Sequence, residues 1–128
     1  HFNKILKKKQ KRRHITLANT FINKKIDLTT TSVTTLYTVP SATTTIIKSI
    51  LVSEDSGNAD TITITITAGS DVFSLFKTKA IGANATVELL TGPLVVQESE
   101  VIKVTAATAN RLHVVLSSLE IKPREVTS

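Results

Sequence analysis

Residues 61–67 read Thr-Ile-Thr-Ile-Thr-Ile-Thr, and strict alternation of this kind leaves a chain few choices. A strand sends successive side chains to opposite faces, so Ile62, Ile64 and Ile66 share an apolar face and Thr61, Thr63, Thr65 and Thr67 a polar one. Both residue types are β-branched and suit a half-buried pleated surface. A helix would scatter the three isoleucines around its circumference. The rest of the chain is therefore expected to supply strands that cover this one.

The flanking sequence meets that expectation. Strands are expected over Val33–Val39, Thr45–Ser53, Val72–Thr78, Thr86–Leu90, Leu94–Val96, Val101–Thr105 and Leu112–Ile121. Turn formers separate them, among them Glu54–Asp60, Ala68–Asp71, Ala80–Ala85, Thr91-Gly92-Pro93 and Glu98-Ser99-Glu100. Seven or eight short strands with turns every 8–12 residues mark an all-β domain. The expected fold is an antiparallel β-sandwich, jelly-roll or Ig-like, with a basic extended N-terminal leader. Thr45–Ser53 is almost continuously apolar, which predicts burial on both faces. With Leu112–Ile121 it should be central, and Pro40, Pro93 and Lys103 suit strand edges. The domain boundaries read as a leader over 1–28, a sandwich over 29–122 and a frayed tail over 123–128.

The formal net charge of +6 is unevenly placed. Residues 1–25 hold nine basic side chains and no acidic one; residues 26–128 hold seven basic and ten acidic, a net of −3. A nucleic-acid argument built on whole-chain charge would fail for the domain. Only the leader could carry it, through Lys7, Lys8, Lys9, Lys11, Arg12 and Arg13, each neutralising a phosphate. The same run also fits a solvated tail or a nuclear localisation pattern. A further reading takes it as upstream sequence or a processing remnant, with the protein's own start near Ile15: the 128 residues contain no Met, and Lys-Arg-Arg is what a purine-rich ribosome-binding site encodes in frame. Residues 15–28 fit a short strand, a helical turn or an arm on a neighbouring subunit.

Candidate chemistry is sparse. Glu54, Asp55, Asn58 and Asp60 offer oxygen ligands to a hard cation, but without EF-hand spacing, and polar hairpin loops have this composition by default. His1, His14 and His113 have no metal-ligand spacing with one another, and His113 is expected as an ordinary strand residue. No nucleophile elbow, phosphate loop or dinucleotide fingerprint is present, and Glu98 and Glu100 read as solvated charges. Asn84-Ala85-Thr86 matches a glycosylation sequon, but no signal peptide is visible. No cysteine is present, which is compatible with a cytosolic origin, and no apolar run approaches the ~18–20 residues of a membrane span. The chain is expected to have no catalytic set, cofactor or membrane partner.

Three blocks carry a resemblance. They are Leu36-Tyr37-Thr38-Val39-Pro40 with Thr45-Ile46-Ile47-Lys48-Ser49-Ile50-Leu51-Val52, then Leu89 to Val104 around Gly92-Pro93-Leu94-Val95-Val96, and finally Leu119-Glu120-Ile121. In order and spacing, over about residues 33–121, they resemble small β-rich virion structural proteins of tailed bacteriophages, especially marine and cyanobacterial ones. Glu98-Ser99-Glu100 stands where such proteins commonly have a Gly-Asp turn. The resemblance implies a non-enzymatic virion component that is made in the host cytoplasm and contacts its own copies and other virion proteins. The role expected first is capsid decoration (cement). A tail, baseplate or fibre-associated host-binding module is the alternative, with nucleic-acid contact through the leader as a third reading.

Overall fold

The computed structural model describes the backbone of residues 13–127 and the side chains of residues 18–123. Nine strands follow in order: β1 (Arg13–Asp27), β2 (Thr34–Thr38), β3 (Thr44–Glu54), β4 (Asp60–Ala68), β5 (Asp71–Ile81), β6 (Thr86–Glu88), β7 (Leu94–Val96), β8 (Val101–Ala106) and β9 (Leu112–Thr127). They form two antiparallel sheets. Sheet A has the order β1-β9-β3-β6, with β7 also on β3, and sheet B the order β2-β8-β4-β5. Apart from the β4–β5 hairpin and the short step from β6 to β7, every connection crosses between the sheets. This is jelly-roll connectivity, with one strand split in two. Thr91-Gly92-Pro93 makes the split: β7 lies along Thr45–Ile47 of β3 and β6 along Leu51–Ser53.

The alternating stretch Thr61–Thr67 lies in β4, held between β8 and β5. Ile62 and Ile64 are fully buried, and Ile66, nearer the strand end, is half-buried against the same core. Facing them from sheet A are Ile47, Ile50, Val52, Val114 and Leu116, all fully buried. The threonine face has a task of its own. β5 bulges opposite Ile62–Ile64, where Thr78 takes a left-handed φ of 47°, costly for a β-branched residue. The Thr78 N–H freed from the ladder donates to the Thr63 hydroxyl at 3.0 Å.

Several expectations change. Residues 13–27 belong to the sheet, since β1 pairs with β9 from Arg13↔Thr127 to Asp27↔His113 without a register shift. The boundary at residue 28 and the tail beginning at 123 therefore cut through one antiparallel pair. The pairing was invisible in the sequence because the partners lie 86 to 114 residues apart, from 113 − 27 to 127 − 13. β3 is not buried on both faces: a bulge between Ile47 and Ser49 re-phases its inward residues, while Ile46 stays half-buried and Leu51 is 38% exposed on the outer face. Glu88 holds that bulge by accepting from the Ser49 hydroxyl and from the Ile50 N–H, the latter at 2.8 Å. Lys103 does not guard an edge, because β8 lies between β2 and β4. Finally, β5 runs through Ala80 to Ile81, which is fully buried. Ser99, in the turn that departs from the phage-like pattern, adopts a φ of 69°, a conformation glycine takes without cost.

Candidate functional site

One end of the sandwich gathers the β3–β4, β5–β6 and β8–β9 loops around Glu54. Although it ends β3 with its side chain only 2% exposed, its carboxylate is well satisfied. Oε1 accepts from the N–H groups of Gly57 (2.9 Å), Asn58 (3.0 Å) and Asn84 (3.1 Å); Oε2 accepts from the Ser56 N–H (2.7 Å) and hydroxyl (2.5 Å). Burial alone would raise its pKa, but the Ser56 hydroxyl and the N–H groups of Asn84, Ser56 and Gly57 outweigh it and hold the carboxyl at about 2. The other candidate ligands turn elsewhere. Asp60 Oδ2 accepts from the Thr108 N–H at 3.1 Å, Asn58 reaches back toward Ser56 O at 3.4 Å, and Asp55 contacts His113. Among the described residues no cluster of three or more His, Asp or Glu side chains is arranged to hold a metal.

Glu54 is thus the loop's internal cap, and Glu54→Gln should loosen it, because the amide nitrogen opposes N–H donors that the carboxylate accepted. Its folded pKa lies below the ordinary 4.5, so its contribution is complete above 4.5 and disappears as pH falls through about 2. Urea unfolding of the two proteins should diverge above pH 4.5 and converge toward pH 2; a constant gap would contradict this assignment.

His113 is more than the ordinary strand residue expected from sequence. Its Nδ1 contacts Asp27 Oδ1 at the end of β1, and its Nε2 lies 3.0 Å from Asp55 Oδ1 in the β3–β4 loop. A neutral imidazole carries one N–H, whereas two carboxylates accept from both nitrogens only when the ring is protonated. The hydrogen bond to Asp27, then that to Asp55, raises the pKa against a smaller effect of burial. Lys25 shares this face of β1, and Arg111 from the β8–β9 turn donates instead to Ala59 O at 2.9 Å. Because the folded pKa is raised, the staple is complete below the ordinary 6.5 and is lost as pH climbs through the folded value. His113→Gln should therefore be less stable than wild type below pH 6.5 and approach it on the alkaline side. Two-dimensional NMR titration of the imidazole gives the direct check: a midpoint at or below 6.5 would contradict the bridge.

A third polar group ties the sheets together. Tyr37 on β2 donates to Glu120 Oε2 on β9 at 2.7 Å, and its oxygen lies 2.7 Å from Thr45 Oγ1 on β3. Since Tyr37 has one proton to give, Thr45 donates to Tyr37. All three are buried, and burial, with Glu120 adding to it, pushes the Tyr37 phenol pKa up against the opposing Thr45 bond. Tyr37 and Glu120 line a cleft of about 500 Å³ between β1 and β2, together with Ile22, Lys24, Leu36 and Pro40. Each partner comes from one of the resembling blocks: Tyr37 from the Tyr-Thr-Val-Pro segment, Thr45 from the strand after it and Glu120 from the final Leu-Glu-Ile. Tyr37 and Thr45 stand among threonines in the sequence and Glu120 lies 75 residues beyond Thr45, so nothing local said that the three meet.

The outer face of sheet A carries an apolar row. Phe21 pairs with Leu119, Leu119 with Ile46 and Ile46 with Val95, so the row crosses β1, β9, β3 and β7. Phe21 is 75% exposed and Val95 53%. Lys48, at the β3 bulge and on the same outer face as Ile46, holds its Nζ 5.8 Å from the Phe21 ring centroid, within cation–π reach. Hydrophobic residues aligned across a whole sheet face mark a contact surface more than scattered apolar side chains do.

Of the proposed nucleic-acid residues, Lys7, Lys8, Lys9, Lys11 and Arg12 lie outside the described residues. Arg13 is described only in its backbone, at the start of β1. Among the described residues no helix is long and apolar enough to cross a membrane. No family model and no curated protein matches the chain. A solved structure titled "Bacillus endospore appendages form a novel family of disulfide-linked pili" is similar in fold, at 10% sequence identity and a TM-score of 0.47, over 87% of this chain and 89% of that one.

Proposed function

We propose that this chain is a non-enzymatic building block of a tailed-bacteriophage particle, acting in capsid decoration through protein–protein contacts. The observation that carries the reading is the apolar row Phe21–Leu119–Ile46–Val95 across the outer face of sheet A, half-buried at its centre and exposed at Phe21 and Val95. The phage-like order of the blocks over residues 33–121 supports it, and so does the use those blocks make of Tyr37, Thr45 and Glu120, which lock two sheets into a stiff unit. A stiff β-domain with an apolar contact face suits a component repeated by symmetry. The 128 residues hold no cysteine, so no disulfide within them joins the copies.

Mass spectrometry and reconstruction of purified particles test the proposal. Decoration requires a copy number comparable to that of the capsid subunit, with density on the shell. A handful of copies at the tail or baseplate would favour a host-binding module instead. Absence from particles would end the virion reading. Affinity for DNA that falls steeply with salt and vanishes without residues 1–13 would move the function to the leader.

A further inference from the structure

Among the described strands, three of the four sheet edges are blunted. β2 has five residues, a register shift between Thr35 and Tyr37, and Pro40 just beyond it. β5 carries Lys77 and Lys79 around its bulge. The far side of sheet A consists of two three-residue segments, β6 and β7. β1 is different: it runs 15 residues without proline or register shift and pairs on one side only, with β9. Sheet proteins that stay single avoid edges of this kind.

The geometry of β1 shows what the edge can take. The Leu28 N–H donates to Leu112 O at 2.9 Å, continuing the ladder past Asp27↔His113. Even-numbered positions thus turn their backbone groups toward β9, and odd-numbered positions from 13 to 27 turn theirs away. β3 meets β9 only as far as Thr44↔Ile121. Beyond that point residues 13–18 and 122–127 make a ribbon of two strands, and a lone two-stranded ribbon is marginal in water.

We propose that β1 pairs with β1 of a second copy, antiparallel about a two-fold axis at Thr20, so that two copies of sheet A become one continuous sheet. An axis through a residue sets odd positions opposite odd ones, where the unused backbone groups are. With Thr20 at the centre, position 13 faces 27, 15 faces 25, 17 faces 23 and 19 faces 21, so the whole of β1 is paired. The projecting half of each β1 then lies along the anchored half of its partner, and each ribbon gains a third strand. This register sets no lysine of β1 opposite another lysine, whereas an axis at Lys24 would stack lysine on lysine. Phe21 comes diagonally beside its symmetry mate, covering the most exposed large apolar side chain among the described residues and joining the two apolar rows. The contact is isologous and closes on itself. It stands on the fold alone, so it can fail or hold independently of the virion reading.

The full 128-residue chain is the test object. Sedimentation should give twice the monomer mass of 13.8 kDa. Because the sequence has no cysteine, Thr20→Cys introduces a single thiol. At the axis the two copies form a non-hydrogen-bonded pair with Cα atoms about 4.5 Å apart, within disulfide range. Mild oxidation should convert Thr20→Cys to a covalent dimer, while Ser74→Cys on exposed β5 stays monomeric on a non-reducing gel. Phe21→Pro removes one free-edge N–H and should halve the sedimenting mass while keeping the β-sheet circular dichroism. If that variant does not fold, Thr20→Cys, a mild change at an exposed position, still decides. A wild type that remains monomeric at high concentration overturns the proposal, as does Thr20→Cys cross-linking no faster than Ser74→Cys.

Discussion

Ile64→Ala should destabilise the fold by about 2–5 kcal/mol, the range for truncating a fully buried aliphatic side chain. Ile64 has no exposed surface and sits mid-sheet, paired with Val104 on one side and Phe76 on the other. Its inward face meets sheet A, so the lost atoms leave a cavity between two hydrogen-bonded layers that cannot easily collapse. Single domains are stable by only about 5–15 kcal/mol, so this one change removes a large share. Thr65→Ala, one residue on and on the opposite face, should stay within about 0.5 kcal/mol. Urea unfolding of both variants checks the pair. Equal losses would mean that the two faces of β4 are not unequal in burial as described.

Tyr37→Phe should cost about 1.5–3 kcal/mol, more than an ordinary hydrogen bond because the acceptor is a carboxylate. The ring and its packing remain, but Glu120 loses its donor from Tyr37 while staying 7% exposed. Lys122 offers little replacement: its Nζ is 3.8 Å from Glu120 Oε1 and half exposed. Thr45 loses its partner too, so the effect reaches β2, β3 and β9 together. Glu120→Gln should weaken the same bond, and the double variant should fall short of the sum of the single losses, a coupling of about 0.5–3 kcal/mol. Strict additivity in a double-mutant cycle would show that the three residues do not act as a unit.

What could be read from the chain divides by the range of the information. Strand β4 was legible because its period of two is local, and so were the central places of β3 and β9. Glu54, Asp55, Asn58 and Asp60 look like a ligand set in one dimension, whereas in the fold Glu54 points inward and caps its own loop. The apolar run of β3 looked buried on both faces because it joins an inner face re-phased by one inserted residue at the Lys48 bulge to the apolar outward residues Ile46 and Leu51. His113 was passed over since its carboxylate partners lie 86 and 58 residues away.

By itself the sequence determined that this chain makes strands and which way many of them face, because alternation of isoleucine with threonine admits one pleated answer. It also placed the net positive charge in residues 1–25, leaving the remainder at a net of −3. Only the tertiary structure decided that residues 13–27 lie in the sheet, that Tyr37, Thr45 and Glu120 meet between the layers, and that Asp27 and Asp55 grip one imidazole. The physical reason is the same in each case. A strand's faces follow from its neighbours in sequence, but its hydrogen-bonding partner follows from which edge the folded sheet leaves open.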